Sequence, residues 1–141
     1  MKAASLLFLR VSTGISVVLW GLIKLGKPDA AIGVSDKYYG GIVSADMLQT
    51  PWGIFQIIVG LLVILGLFRR IAYPLQAIIL CVGAAAIWKY LIDPFGMYMF
   101  DKPQDAQLLF FPSLAVAAAT LVTWAFRDAD TISLDARRKR R

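Results

Sequence analysis

The stretch MKAASLLFLRVSTGISVVLWGLIKLG, residues 1–26, decides the fold. It has the length and apolar content of a membrane-spanning helix, yet it carries Arg10 near one end and Lys24 near the other. Between them lie only the 13 uncharged residues Val11–Ile23. At about 1.5 Å per residue that run is too short to cross a hydrocarbon core of about 30 Å. A span built from it must draw at least one cation into or beside the apolar layer. Arg10, Gly14, Val17, Gly21 and Lys24 follow a 4-3-4-3 spacing and fall within one sector of the helix. Cations and glycines on one stripe point to a face turned toward protein, because small residues permit close helix approach and charges avoid hydrocarbon.

Three further apolar runs follow, so the spans are expected at about 3–25, 52–68, 73–92 and 107–126, with a basic tail at 127–141. Each run is close to the roughly 17–25 residues a spanning helix needs. They are too long and too unbroken for strands. With 141 residues, 59% of them hydrophobic, and a mean hydropathy of +0.69, little chain is left for a separate soluble module. The expected class is all-α: an integral membrane antiparallel four-helix bundle. Lys2 ahead of an apolar run resembles a signal peptide, but Arg10 interrupts the run and no small-residue cleavage pattern follows, so it reads as a retained span.

Alternating spans place Lys2, Arg69, Arg70, Arg127 and the five cations Arg137–Arg141 on one side, and Lys27, Lys37 and Lys102 on the other. Nine cations against three is a positive-inside bias and predicts cytoplasmic N and C termini in a multi-pass protein of a bacterial-type plasma membrane. The net charge of +6 sits largely in this tail. It suits anionic lipid rather than nucleic acid. The connection Lys27–Thr50 is expected to lie as a loop at the outer interface. Thr50-Pro51-Trp52 reads as the entry to the second helix, Pro74 as the opening of the third and Pro94 as its stop. The segment Asp93–Ala106 is expected to roof the outer end, Pro112 to kink the fourth helix, and the tail after Phe126 to be polar and mobile.

Residue types exclude much chemistry. There is one cysteine, Cys81, and there is neither histidine nor glutamate. Internal disulfides, zinc and haem ligation by histidine, and a histidine general base are therefore ruled out. No catalytic or metal-ligating residue is assigned.

The polar residues of the spans cluster by depth. Lys24, Gln56, Lys89 with Asp93, and Gln107 come from all four helices and meet at one outer level, beside Trp20, Trp52 and Trp88. A ligand pocket with Lys24, Gln56, Lys89, Trp20 and Trp88 is the candidate binding site. The structural alternative stands beside it. Lysine and tryptophan near helix ends serve as snorkelling and belt residues, Gln56 suits an interhelical hydrogen bond, and Asp93 can neutralise Lys89 or end its helix. Arg10, Gly14, Gly21 and Asp93 are assigned to structure or to a partner. Arg10 either snorkels to headgroups or pairs inside the protein. No carboxylate is expected at its depth, so its candidate partners are helix-end carbonyls, Gln76, a lipid phosphate or a second subunit.

Leu9-Arg10, Gly14, Trp20-Gly21 and Lys24 in the first span, followed by Gly53, Gln56, Gly60, Leu65-Gly66 and Arg70 in the second, resemble the DoxX family of small membrane proteins. The resemblance covers Leu6–Lys24 and Pro51–Arg70 well and the remainder only as apolar helices; the Arg-Gly-Gly-Lys spacing is its distinctive part. It implies a four-helix membrane bundle, associated in some members with redox systems that include the membrane subunits of a thiosulfate:quinone oxidoreductase. Family members commonly place a glutamate in the second span, where this chain has Gln56, so a proton-coupled role is not carried over.

Two functions follow as expectations. The first is a non-catalytic membrane subunit or anchor of a redox or envelope complex, working with another membrane subunit or as a homo-oligomer. Its motives are the apparent lack of a counter-ion for Arg10, the small-residue stripe of the first span, the lack of catalytic side chains and the short loops. The second is a quinone- or lipid-binding membrane subunit of an oxidoreductase; no other cofactor is suggested. Small-solute transport has little support, since no inverted repeat or broken helix pair is visible.

Overall fold

The computed structural model describes residues 1–38, 40, 41, 46–93 and 111–139, and every regular element among them is helical. In chain order these are α1 (Lys2–Gly26), α2 (Pro28–Tyr38), α3 (Asp46–Leu65), α4 (Arg69–Ala86), α5 (Trp88–Ile92), α6 (Phe111–Ala125) and α7 (Leu134–Arg138). The expectations for Pro94, the outer segment up to Ala106, and Gln107 lie outside the described residues. Among the described residues two helices, α1 and the Met47–Leu65 part of α3, are long and apolar enough to cross a membrane; the apolar part of α6, Pro112–Ala125, is shorter.

The closest packing is between α1 and α3, which run antiparallel. Gly14 faces Gly60, and Gly21 faces Gly53, so a seven-residue glycine spacing on one helix meets the same spacing on the other. A methyl group at Gly21 would lie 2.6 Å from the Gly53 carbonyl oxygen, and one at Gly60 would lie 2.8 Å from that of Gly14. Only glycine lets the two backbones approach this closely. The stripe Arg10–Gly14–Val17–Gly21 is thereby the buried face of α1, with Thr13 beside it. Against this pair pack α4 and α6, which also contact each other, while α2 touches α1 and α3. Val17, Val59, Val63, Ala72, Tyr73 and Ala77 fill the interior.

Several polar side chains point inward beside this core, while many large apolar ones point outward. Thr13, Gln56, Gln76, Thr120 and Thr123 are buried, whereas Leu19, Ile58, Ile71, Ile78, Val82 and Leu121 are exposed. The threonines satisfy their hydroxyls on their own helices: Thr13 donates to the Leu9 carbonyl at 2.8 Å, Thr120 to Ala117 at 2.7 Å and Thr123 to Ala119 at 2.9 Å. An apolar exterior over a polar-flecked interior is the arrangement expected of helices surrounded by lipid.

Several local expectations are corrected. The Lys27–Thr50 connection is not all loop, because α2 forms within it. Helix α3 starts at Asp46 and α4 at Arg69, so Pro51 and Pro74 are each the sixth residue of a helix rather than its opening. Proline near a helix start forfeits one backbone bond, and the packing of these apolar helices outweighs that loss. The third run is not continuous either: it is interrupted at Ile87, between α4 and α5.

Candidate functional sites at the two ends of the helices

Arg10 is buried and has a counter-ion inside the chain. Its Nη1 donates to Asp130 Oδ2 at 2.8 Å. The expectation that no carboxylate reaches this depth is therefore wrong, and so is a freely mobile tail. The chain turns back after α6, and Asp130 and Ser133, at 2% and 0% exposure, are buried. Tyr73 from α4 donates to the same Oδ2 at 2.7 Å, so one carboxylate oxygen joins α1, α4 and the returning tail.

The bonds around this centre close the turn. Arg69 Nη1 donates to the Asp130 carbonyl at 3.0 Å and also to the carbonyl of Arg127. Ser133 caps α7 by accepting from the Ala136 N–H at 3.3 Å, and its own hydroxyl donates to the Asp130 carbonyl at 3.1 Å. Asp135 then docks the tail on the start of α4. Its Oδ2 accepts from the Arg69 N–H at 2.9 Å, and its own N–H donates to the Gly66 carbonyl at 3.2 Å. Helix α4 has no side-chain cap from its preceding residue Phe68. A carboxylate 66 positions later serves the helix end instead. Gly66 has φ +68°, and a side chain there would run into Arg10 and Ser133. The sequence signal for this clamp was the run of acids Asp128, Asp130 and Asp135 set within an otherwise basic tail.

At the opposite end of α1 and α3 a cavity of about 220 Å³ opens between α1, α2, α3 and α4. Its wall includes Trp20, Lys24, Gln49, Trp52, Gln56 and Gly83. Lys24 Nζ lies 5.4 Å from the centre of the Trp20 ring and 3.5 Å from the Trp20 carbonyl oxygen. Trp52 stacks on Phe55 at 5.3 Å between ring centres. Gln56 is 6% exposed, and its Oε1 accepts no hydrogen bond among the described residues. At Gly83 there is open space where a Cβ would stand.

The cavity thus brings Trp20, Lys24 and Gln56 together. Trp88 and Lys89 are not in its wall: the interruption at Ile87 prevents α5 from continuing the α4 face that carries Ile79, Gly83 and Ala86. Asp93 closes α5, its N–H donating to the Lys89 carbonyl at 3.0 Å. Gly14 and Gly21 serve the contact between α1 and α3. Missed by the sequence reading were α2, which supplies Ala31, Val34 and Ser35 to the wall, and Gln49. Their signal was weak, since α2 falls in a segment whose glycine and polar residues read as loop.

The DoxX family model matches residues 5–89, from α1 into α5. The chain belongs to the DoxX family. No curated protein and no solved structure matches it. The match takes in Arg10, Tyr73 and every residue of the cavity wall, whereas Asp130 and α7 lie beyond residue 89. This DoxX protein is accordingly a membrane protein, and the counter-ion of its first-helix arginine comes from outside the matched stretch.

Proposed function

We propose that this DoxX protein spans a bacterial-type plasma membrane four times, through α1, α3, α4 with α5, and α6, with both termini cytoplasmic. We further propose that it binds an amphipathic ligand, a quinone or a lipid, in the cavity between α1 and α4 as a membrane subunit of an oxidoreductase. The observation that carries the binding reading is Gln56. A buried amide oxygen with no partner costs about 1–3 kcal/mol, and a ligand hydroxyl or N–H in the adjoining space would satisfy it.

The rest of the wall fits the same ligand class. Lys24 offers a cationic donor to a carbonyl or phosphate oxygen, Trp20 and Trp52 offer flat apolar faces, and Val82, exposed beside Gly83, marks an apolar exit for a tail. Among the described wall residues Ser35 carries the one hydroxyl, and no histidine or carboxylate lines the cavity to activate it as a nucleophile. The assigned role is therefore to hold the ligand, with electron transfer left to a partner subunit. The anchor reading drew on an unpaired Arg10 beside the small-residue stripe, the lack of catalytic side chains and the short loops, and the Arg10–Asp130 pair removes the first of these supports.

Protein purified from native membranes, followed by mass spectrometry of extracted quinones and lipids, tests the proposal. Gly83→Leu, which fills the open space, and Gln56→Leu should each lower the co-purifying ligand about tenfold, as a loss of roughly 1.4 kcal/mol requires. Thermal stability should be retained. Equal ligand content in wild type and both variants overturns the binding reading.

A further inference from the structure

At the end of the molecule remote from that cavity, the returning tail and the α3–α4 junction enclose a second hollow, of about 420 Å³. Its lining holds Arg69, Arg70, Arg127, Arg138 and Lys139 against only two acids, Asp128 and Asp135. Two of these seven charges are already engaged: Arg69 is committed to the Arg127 and Asp130 carbonyls, and Asp135 to the start of α4. Arg70, Arg127, Arg138 and Lys139 form no ion pair among the described residues. Asp128 lines the same hollow and offsets only one of these four cations, so a threefold excess of positive charge is left, which repels itself unless a further anion sits among it.

The same hollow has an apolar lip. Phe68 and Ile71 belong to its lining and are 59% and 61% exposed, the first just before α4 and the second in its first turn. A water-soluble anion has no use for such a lip, whereas the acyl chains of a lipid would lie along it. We infer that this hollow is a built site for the phosphodiester headgroup of an anionic phospholipid, held by Arg70, Arg127, Arg138 and Lys139 with its chains against Phe68 and Ile71. The buried clamp explains why the site is shaped rather than diffuse. Arg69 and Asp130 fix the carbonyl turn that carries Arg127, and Ser133 and Asp135 fix α7, which carries Arg138. This site is independent of the cavity at the other end.

The experiment separates a built site from general attraction to a charged bilayer. Native mass spectrometry of the full chain, released from nanodiscs of equal phosphatidylglycerol and phosphatidylcholine, should retain one phosphatidylglycerol in preference to phosphatidylcholine. Arg70→Gln with Arg127→Gln should reduce that preference about tenfold or more, given roughly 1 kcal/mol per cation near a lipid surface. Lys2→Gln with Arg137→Gln makes the same change in charge away from the hollow and should leave the preference within about twofold. Inorganic phosphate added to the solution should not displace the lipid. Four outcomes overturn the inference: equal loss in both double variants, no preference in the wild type, retention unaffected by Arg70→Gln with Arg127→Gln, or displacement by free phosphate. Circular dichroism and melting of each variant separate loss of the lipid from loss of the fold.

Discussion

Asp130 does two jobs with one oxygen and a third with its backbone. Oδ2 accepts from Arg10 and from Tyr73, while the carbonyl accepts from Arg69 and Ser133. Removing the carboxylate leaves a guanidinium buried at 2% exposure without its anion. Breaking a buried pair in this one-sided way typically costs about 3–5 kcal/mol. Asp130→Ala should therefore lower the melting temperature markedly in detergent, whereas Asp130→Ala combined with Arg10→Met should recover much of the loss, because no charge is then stranded. A single variant that melts like the wild type would show that the pair does not hold the tail. Tyr73→Phe removes one neutral-to-charged hydrogen bond and should cost less, about 1.5–3 kcal/mol, read on the same melting curve.

At the scale of elements, the contact between α1 and α3 depends on backbone approach at two glycine pairs, not on large side chains. Gly21→Ala places a methyl 2.6 Å from a backbone oxygen that cannot step aside, and the helices must separate. Such overpacking costs about 1–3 kcal/mol. The same change at Gly33, in α2, meets no atom within 4 Å. It should be neutral or mildly stabilising, since alanine is favoured over glycine in a helix by about 1 kcal/mol. Parallel melts of the two variants test the claim, and equal effects would contradict it. Helix α4 draws on a distant element for its start: Asp135→Asn, which keeps the shape and loses the charge, should weaken its first turn. Hydrogen exchange at the Arg69 and Arg70 amides should rise while exchange in the middle of α4 does not.

Taken whole, the molecule has two chemically distinct ends joined by antiparallel helices. One end is a cavity walled by tryptophan, lysine and glutamine, and the other is a cationic hollow around a folded tail. The distribution of cations predicts which end faces the cytoplasm. In a Cys81→Ser background, Arg137→Cys should react with a membrane-impermeant maleimide only after the cytoplasmic side is opened. Asp36→Cys, exposed on α2, should react from outside in intact cells. Labelling of Arg137→Cys in intact cells would reverse the orientation and place the cationic hollow on the wrong leaflet.

Residues 1–26 and the long apolar runs were enough to reveal helices, a membrane setting and the buried stripe of α1, because hydrophobic length and residue spacing act locally along the chain; the family was legible only as a resemblance, in motif residues such as Arg10, Gly14, Gly21, Lys24, Gly53 and Gly60. The depth argument likewise brought Trp20, Lys24 and Gln56 to one level, since rise per residue is fixed in a helix. What tertiary structure alone decided was which distant segments meet. Asp130 reaches Arg10 across 120 positions, Asp135 reaches the start of α4, and the interruption at Ile87 takes Trp88 and Lys89 out of the cavity wall. Such contacts are set by the direction the chain takes after each helix ends. That direction follows from a few caps, carbonyl bonds and close packings that leave no periodic trace in the sequence.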